Sequence, residues 1–259
     1  MTIPKIIHYC WFGRNPLPEL AQRCIASWRK YLPDYEIKEW NEDNFDVNTI
    51  PYTAEAYKAK KYAFVSDYAR FWILYKHGGL YFDTDVEVIK PMDDIIARGP
   101  FMGCENEAGK GATTLGVAPG LGLGVNPGLG LGVNPGLGLI KELLDEYDTM
   151  HYLDESGHIA ENKTIVNHTT DLLVKRGLKD THEIQQVAGV FIYPKEYFCP
   201  KDYLAGKLNI TDKSVAIHHY GATWVPWFSK LEKTIFNFFG LRYRALISRR
   251  IIKPLKRLF

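Results

Sequence analysis

One segment, FVSDYARFWILYKHGGLYFDTDVEV at residues 64–88, constrains the fold of this chain more than any other. Its first part is apolar on most sides, as expected of a largely buried helix, and the Gly78-Gly79 pair is a typical helix end. Its second part is a short apolar run followed by acidic residues at every second position. The segment predicts a helix over about residues 54–76 and a strand over residues 80–89, an arrangement that is typical of α/β proteins.

Two charged residues interrupt the apolar helix. Asp67 and Arg70 are three positions apart, so they lie on the same helical face. A structural ion pair explains them, and so does a pair of polar side chains that reach from a rigid scaffold into a binding site. Both interpretations stay open on these residues alone.

Three carboxylates follow in the predicted strand. Asp83, Asp85 and Glu87 occupy alternate positions, so in an extended chain they would project from one face. Carboxylates this close repel one another and are costly to bury without a counterion. Mn²⁺ or Mg²⁺, which accept carboxylate and phosphate oxygens, would relieve the repulsion. The spacing therefore predicts a divalent-cation site.

The amino-terminal residues predict a βαβ unit. We expect a strand over Ile3–Phe12, a helix over Leu17–Tyr31 and a strand over Tyr35–Trp40, which together favour a parallel sheet. Ligands of such sheets bind beyond the carboxyl ends of the strands, where this chain has Trp11 and Asn41.

The composition is that of an ordinary soluble protein, with 46% hydrophobic and 24% charged residues, which argues against disorder and against a disulfide-rich miniprotein. No apolar run reaches the length of about 18 residues that a membrane span needs. The four cysteines form no CxxC pair, and the first ten residues lack the pattern of a secretion signal. We therefore expect a reduced, cytoplasmic protein.

The octapeptide GLGLGVNP occupies residues 120–127 and recurs at residues 128–135. A tandem duplication that is tolerated as a surface loop is the simplest interpretation, because added loop length costs little entropy. A phosphate-binding loop is the alternative, but the repeat has neither the lysine of a P-loop nor a GxGxxG spacing. We therefore expect deletion of residues 120–127 to leave folding nearly unchanged.

Positive charge is concentrated at the carboxyl end. Residues 230–259 contain nine Lys or Arg residues and a single acid, Glu232, in a chain whose net charge is +2. We expect residues 1–229 to form one domain and residues 230–259 to form a basic amphipathic helix on an anionic membrane. An ordinary packed helix is the alternative, and nucleic-acid binding is disfavoured because the rest of the chain is acidic.

Segment 64–88 resembles the sugar-nucleotide-binding core of the DXD-containing glycosyltransferases of family 32, which include capsular polysaccharide transferases and Och1-like mannosyltransferases. It is more distantly similar to the clostridial glucosylating toxins. IPKIIHYCWFG and EWNEDNF near the amino terminus resemble the same families, and IHHYGATW at residues 217–224 resembles them more weakly. The resemblance implies a GT-A, Rossmann-like fold, with a mostly parallel central sheet flanked by helices, and a retaining transferase.

The resemblance also implies roles for single residues. Trp11 would stack on the nucleotide base, and Asp67 and Arg70 would hydrogen-bond the hydroxyl groups of the donor sugar. Asp83 would contact the ribose and the sugar, while Asp85 would ligate a Mn²⁺ or Mg²⁺ ion that bridges the diphosphate.

The late segment IHHYGATW would complete the site. His219 is the expected second metal ligand, with His218 as the alternative, and Trp224 is expected to contact the departing phosphate. Neighbouring residues of a strand face opposite sides, so at most one of the two histidines should face the metal. Glu105 and Asn106 are candidates for polar groups that face the anomeric carbon.

The expected function is transfer of a sugar from a nucleotide-sugar donor, UDP-linked rather than GDP-linked, to a lipid-linked oligosaccharide acceptor. The expected setting is bacterial capsular or surface polysaccharide synthesis at the inner face of the cell membrane. Alternatives are a toxin-like transferase that glycosylates a protein and a catalytically silent sugar-nucleotide or membrane-binding module. The intact Asp83 and Asp85 argue against the silent module.

Overall fold

The computed structural model describes residues 3–109, 116–121, 123–125, 136–160, 164–202 and 206–221 of the 259 residues. The chain divides into two compact units, one made of Met1–Lys201 and Leu208–His219, the other of Asp202–Lys207 and Tyr220–Phe259. All elements and contacts described below belong to the first unit. Trp224 and the basic tail lie outside the described residues, so the helix expected at 230–259 and the boundary at residue 229 stay predictions.

Strands and helices alternate along the first unit, which confirms the predicted α/β class. The strands are β1 (Ile6–Cys10), β2 (Glu36–Trp40), β3 (Gly79–Tyr81), β4 (Val86–Val88), β5 (Phe101–Cys104), β6 (Val117–Ala118), β7 (Leu123–Val125), β8 (Gln185–Val187), β9 (Val190–Tyr193) and β10 (Ala216–His218). The helices are α1 (Glu19–Tyr31), α2 (Pro51–Lys58), α3 (Tyr62–His77), α4 (Asp93–Arg98), α5 (Gly138–Tyr147), α6 (Ile165–Lys175) and α7 (Lys195–Phe198). Within this described part of the chain, none of the helices combines the length and the apolar character that crossing a bilayer requires.

The central sheet has the strand order β2-β1-β3-β7-β5-β9-β8, with β6 paired to β5. Strand β1 lies between β2 and β3 and is parallel to both, as the predicted βαβ unit requires. Strand β7 is antiparallel to its two neighbours, β3 and β5, whereas β5 and β9 are parallel. The sheet is therefore parallel around β1 and mixed beyond β3, because β7 enters in the opposite direction.

The first octapeptide contributes to this sheet. Residues Pro119–Leu121 form a 3₁₀ turn, and β7 follows, with Gly124 opposite Leu80 on one side and opposite Phe101 on the other. The prediction of a surface loop is therefore wrong for these residues, because they fill the space between β3 and β5. Residues 126–135 lie outside the described part of the chain.

The helix predicted over residues 54–76 is two helices, α2 and α3. The chain turns at Lys60, whose φ of 57° lies in the left-handed region, and the Lys61 N–H donates to the Ala56 carbonyl at 2.8 Å. Neither Gly nor Pro marks this break, so the pattern gave no sign of it. The predicted end at Gly78 is confirmed: its φ is 64° and its N–H donates to the Leu74 carbonyl at 2.9 Å.

The strand predicted over residues 80–89 is also divided. A turn closed by the Val86 N–H and the Asp83 carbonyl, 3.0 Å apart, separates β3 from β4. Strand β4 leaves the central sheet and pairs with β10 in a two-stranded sheet. Contacts with α1 hold it there, since the Trp28 indole N–H donates to the Val86 carbonyl at 2.8 Å and the Val88 N–H donates to the Ser27 hydroxyl at 2.9 Å.

A buried histidine joins the parallel strands to the end of α3. The Trp40 indole N–H donates to Nδ1 of His8 at 3.0 Å, so Nδ1 acts as an acceptor, and Nε2, 3.0 Å from the Gly78 carbonyl, carries the proton that bonds to it. Burial, opposed in part by the Gly78 carbonyl, lowers the pKa of His8 to about 4. The neutral ring therefore ties β1 and β2 to the turn that leads into β3.

Candidate active site

The carboxyl ends of four strands meet at one edge of the central sheet. Strands β1 and β3 are parallel, β7 is antiparallel to both β3 and β5, and β9 is parallel to β5, so β1, β3, β5 and β9 all run in the same direction. Just beyond their ends stand Trp11, Asp83, Glu105 and Lys195. This is the edge at which α/β sheets bind ligands.

Arg70 holds two carboxylates at this edge. Its Nη2 lies 3.1 Å from Asp67, its Nη1 lies 3.2 Å from Asp83, and its Nε donates to the Ser66 carbonyl at 3.1 Å. The guanidinium also lies over the Tyr81 ring, 4.9 Å from the ring centre. We call Asp67, Arg70, Tyr81 and Asp83 the Arg70 cluster.

Exposure differs strongly within the Arg70 cluster. The Arg70 side chain is 6% exposed and that of Asp67 is 14% exposed, whereas 33% of the Asp83 side chain is accessible. Burial raises the pKa of Asp67 to about 7, although the neighbouring Arg70 opposes that rise. Burial lowers the pKa of Arg70, but Asp83 and the other neighbouring acidic groups outweigh it and raise that pKa well above the ordinary value. The cluster is thus a largely buried ion-pair network from which Asp83 reaches the surface.

The second acidic residue of the DXD sequence meets the late histidine segment. In the β4–β10 pairing, His218 lies opposite Val86, and its Nε2 is 3.4 Å from Oδ2 of Asp85. Burial lowers the pKa of His218, but hydrogen bonds with Asp85 and Cys199 outweigh it and raise the pKa to about 10. We call these two residues the Asp85–His218 pair.

The neighbouring histidine has a different partner. Nε2 of His219 lies 2.6 Å from Oε2 of Glu87, and the His219 N–H donates to the Asp85 carbonyl at 2.9 Å. The side chain that was expected to ligate the metal therefore points at Glu87, and its neighbour points at Asp85. The expectation that Asp83, Asp85 and Glu87 project from one face is wrong, because the turn after β3 directs each carboxylate to a different partner.

The donor atoms of the Asp85–His218 pair suit a divalent cation. Among the described residues, no three His, Cys, Asp or Glu side chains come close enough together to hold a metal ion alone. One carboxylate oxygen and one imidazole nitrogen do come together, a set that Mn²⁺ accepts readily, and such ions complete their shells with water and phosphate oxygens. The side chains therefore fit a metal ion that a diphosphate helps to bind. Its binding has to displace the proton of His218.

Trp11 occupies the carboxyl end of β1. Its backbone N–H donates to the Trp40 carbonyl at 2.8 Å, which extends the β1–β2 pairing, and its indole N–H donates to the Asn15 carbonyl at 2.6 Å. The half-buried ring is thereby fixed at the edge of the sheet, next to Gly13, whose φ of 93° turns the chain away. A base-stacking role for Trp11 stays a prediction.

Several residues of this edge were not identified from the sequence. Tyr81 lies two positions before Asp83 in β3, so the alternation of a strand was the signal that could have found it. Lys195 follows β9, and Cys199 lies at the end of α7, far from the DXD sequence along the chain. No local pattern links these two residues to the DXD sequence, because α7 meets β10, and β10 meets β4, only in the folded protein.

Residues 18–102 match the family described as a glycosyltransferase sugar-binding region containing a DXD motif. The chain carries a DXD glycosyltransferase region. The matched range contains the whole Arg70 cluster and Asp85, which confirms the resemblance drawn from segment 64–88. Glu105 and His218 lie beyond it.

Two relatives agree with this assignment. The chain is 30% identical over 123 residues to inositol phosphoceramide mannosyltransferase 3 of Schizosaccharomyces pombe, a match that covers 46% of this chain and 34% of that protein. It is 34% identical over 105 residues to an uncharacterized glycosyltransferase of Acanthamoeba polyphaga mimivirus, which covers 38% of this chain and 42% of that protein. Each match spans less than half of the relative's own length.

A solved glycosyltransferase involved in the glycosylation of the major capsid of PBCV-1 is 12% identical, with a TM-score of 0.49 over 92% of this chain and 100% of that chain.

Proposed function

We propose that this chain transfers a sugar from a nucleotide-sugar donor to a lipid-linked acceptor, with a divalent metal ion and with retention at the anomeric carbon. One observation carries the proposal: Asp85 of the Asp85–His218 pair and the partly exposed Asp83 of the Arg70 cluster lie two positions apart in one turn, within the range that matches the DXD family. Retention rests on the family resemblance alone.

Each residue at this edge of the sheet would contact a different part of the donor. Asp83 has accessible oxygens that accept hydrogen bonds from the ribose and sugar hydroxyl groups, and Arg70 fixes its orientation. Trp11 stacks on the base at the end of β1. Asp85 and His218 would hold the metal ion, which supplies positive charge to the departing diphosphate. A UDP-sugar is the donor that we propose, and GDP-linked sugars are the donors to compare with it.

The acceptor is proposed from the relatives and from the charge of the tail. The fission-yeast relative is named for inositol phosphoceramide, a lipid whose headgroup carries hydroxyl groups, and this supports a lipid-linked acceptor here. The nine basic residues of 230–259 would attract an anionic membrane. The setting we propose is capsular or surface polysaccharide synthesis at the inner face of a bacterial cell membrane. Truncation after Trp227 should then reduce binding to anionic vesicles and leave donor hydrolysis intact.

The experiment that tests the activity is a donor-hydrolysis panel with UDP- and GDP-sugars in the presence of Mn²⁺, Mg²⁺ or EDTA. We expect turnover that depends on the metal ion and is abolished in Asp85→Asn, which removes one charge at nearly constant volume. The matched control is Asp94→Asn, an exposed acid of α4, which should keep full activity. Full activity of Asp85→Asn, or equal turnover in EDTA, would contradict the metal-dependent proposal.

A further inference from the structure

The side chain of Lys201 ends close to the Asp85–His218 pair. Its Nζ donates to the His219 carbonyl at 3.2 Å, and the His219 N–H donates to the Asp85 carbonyl at 2.9 Å. The second bond continues the pairing of β10 with β4, in which His218 lies opposite Val86. The Lys201 ammonium is therefore held at the carboxyl end of β10, one residue beyond His218.

The segment that carries Lys201 is attached to β10 at both ends of that strand. Before β10, the Val215 N–H donates to the Tyr197 carbonyl in α7 at 2.8 Å, and after β10 the His219 carbonyl accepts from Nζ. The backbone of Lys201 is itself fixed, because it forms an antiparallel bridge with Leu208. The ammonium is thus positioned by the fold before any ligand binds.

The contact with His219 does not neutralise the ammonium. A backbone carbonyl carries no formal charge, and an ammonium group has three N–H donors, of which this contact uses one. The Lys201 side chain is half-buried, so a ligand can reach it. In the proposed complex, Asp85 and His218 hold the metal ion that the diphosphate of the donor helps to bind, so that diphosphate would lie beside Lys201. Lysine is a common ligand of phosphate groups because it offers a compact positive charge.

We propose that Lys201 is a catalytic residue that hydrogen-bonds the diphosphate of the donor and stabilises the negative charge that develops on it as it departs. This inference rests on the proposed glycosyltransferase function. When the bond between the anomeric carbon and the phosphate oxygen breaks, its electron pair stays on that oxygen. The ammonium donates a hydrogen bond to the diphosphate and keeps its proton. This role depends neither on the attacking group nor on the side of attack, so it is compatible with retention.

The affinity for the departing group tests this role apart from turnover. Near neutral pH, UDP carries about one more negative charge than a UDP-sugar, because its terminal phosphate has a second ionisation. Lys201→Met keeps the apolar stem and removes the charge. We expect it to raise the calorimetric Kd of UDP with Mn²⁺ about tenfold or more, and that of the UDP-sugar by less than about threefold. It should lower kcat for donor hydrolysis by roughly 10- to 100-fold. If the best donor is GDP-linked, GDP takes the place of UDP.

Two further variants make the test specific. Lys201→Arg keeps a positive charge and should recover most of the lost UDP affinity and of the lost kcat. Lys207→Met removes the charge of an exposed lysine six positions further on and should leave both quantities unchanged.

The outcomes separate the two proposals. An unchanged kcat and an unchanged UDP affinity in Lys201→Met overturn the role of Lys201. An equal loss of affinity for UDP and for the UDP-sugar also overturns it, because Lys201 would then act only by holding β10 in place. An equal effect of Lys207→Met, or no recovery in Lys201→Arg, would contradict a role for the charge at this position. Absence of donor binding and hydrolysis in the wild-type protein overturns the proposed function itself, and with it this inference.

Discussion

The Arg70 cluster and the Asp85–His218 pair meet at the turn between β3 and β4, yet they are assembled in different ways. The Arg70 cluster comes from residues 67–83, so that one helix, the strand after it and the first residue of the following turn supply every member. The Asp85–His218 pair joins residues 133 positions apart, through the pairing of β4 with β10. The first is an extension of a local motif, whereas the second exists only once the distant strand has joined.

This difference has a physical consequence for binding. The guanidinium of Arg70 already compensates the two carboxylates of its cluster, so that side of the site is organised before any ligand arrives. Under the proposed function, the Asp85–His218 pair would supply two ligands of a metal ion, and binding of that ion would displace the proton of His218. We therefore expect substitutions of the buried Asp67 and Arg70 to act mainly on stability, and substitutions of Asp83 or of the Asp85–His218 pair to act mainly on donor binding.

The largest expected effect is that of Arg70→Met. The substitution keeps much of the apolar stem but leaves the buried Asp67 without its cation, which costs about 3–5 kcal/mol in comparable sites. Urea unfolding should show this loss in the free energy of unfolding. The double variant Arg70→Met/Asp67→Asn should recover part of it, because no buried charge then remains unpaired at Asp67. A loss below about 1 kcal/mol in the single variant would mean that the network is not structural.

The next effect is the acid sensitivity that the buried His8 gives to strands β1 and β2. The pKa of His8 is lowered from 6.5 to about 4, so the unfolded chain binds a proton in a pH range in which the folded chain does not. The stabilisation by neutral His8 is complete above pH 6.5 and is lost as the pH falls towards 4. The full shift corresponds to ~3 kcal/mol.

Unfolding free energies measured between pH 7.5 and pH 4.5 test this prediction. The variant His8→Gln keeps a polar side chain that does not titrate, so the difference between the two pH profiles isolates His8 from the carboxylates that also titrate. Parallel profiles would contradict the assigned role of the buried ring.

A smaller effect separates the two adjacent histidines. His218→Ala should weaken Mn²⁺-dependent donor binding at least about tenfold, because it removes a nitrogen that faces Asp85. His219→Ala should change that affinity by less than about threefold, since its ring is bonded to Glu87. Calorimetry with the best donor of the panel, with and without Mn²⁺, measures both. The reverse order of effects would restore His219 as the ligand.

The two histidines also show which contacts could be predicted from the sequence and which could not. The i, i+3 spacing identified the contact between Asp67 and Arg70, and the glycine pair identified the end of α3, because both depend on neighbours along the chain. The choice between His218 and His219 depends on the register of β10 against β4, which no local pattern contains. The turn at Asp83–Asp85 was missed because its cause, the attachment of Val86 and Val88 to α1, lies some 60 residues away along the chain.

Strand β7 was missed for another reason. Glycine has a low strand propensity, and it alternates with apolar residues throughout GLGLGV, so the composition indicated a loop. The same alternation is nevertheless the period of a strand. In the folded protein, β7 pairs with β3 on one side and with β5 on the other. Glycine suits such a position because it allows neighbouring backbones to approach closely.

The smallest expected effect is that of removing one octapeptide. Deletion of residues 120–127 and deletion of residues 128–135 give the same sequence, so the shortened chain keeps one copy that can form β7. In the shortened chain, only an Asn-Pro dipeptide would connect the valine at the end of β7, at the place of Val125, to the glycine that is now Gly136. The three Cα–Cα steps of this connection span at most about 11 Å.

Both ends of that link lie near the carboxyl-terminal end of α3. Val125 is paired with Gly79, and a Cβ added at Gly136 would collide with Tyr75, near the end of the helix that precedes Gly79. We therefore expect the free energy of unfolding to change by less than about 1 kcal/mol, since a shorter loop alters the closure entropy only slightly. Deletion of both copies, residues 120–135, removes β7 and should abolish cooperative unfolding. A single deletion that is as damaging as the double one would mean that β7 requires the full spacing between the sheet and α5, which would make the second copy a structural part of the fold.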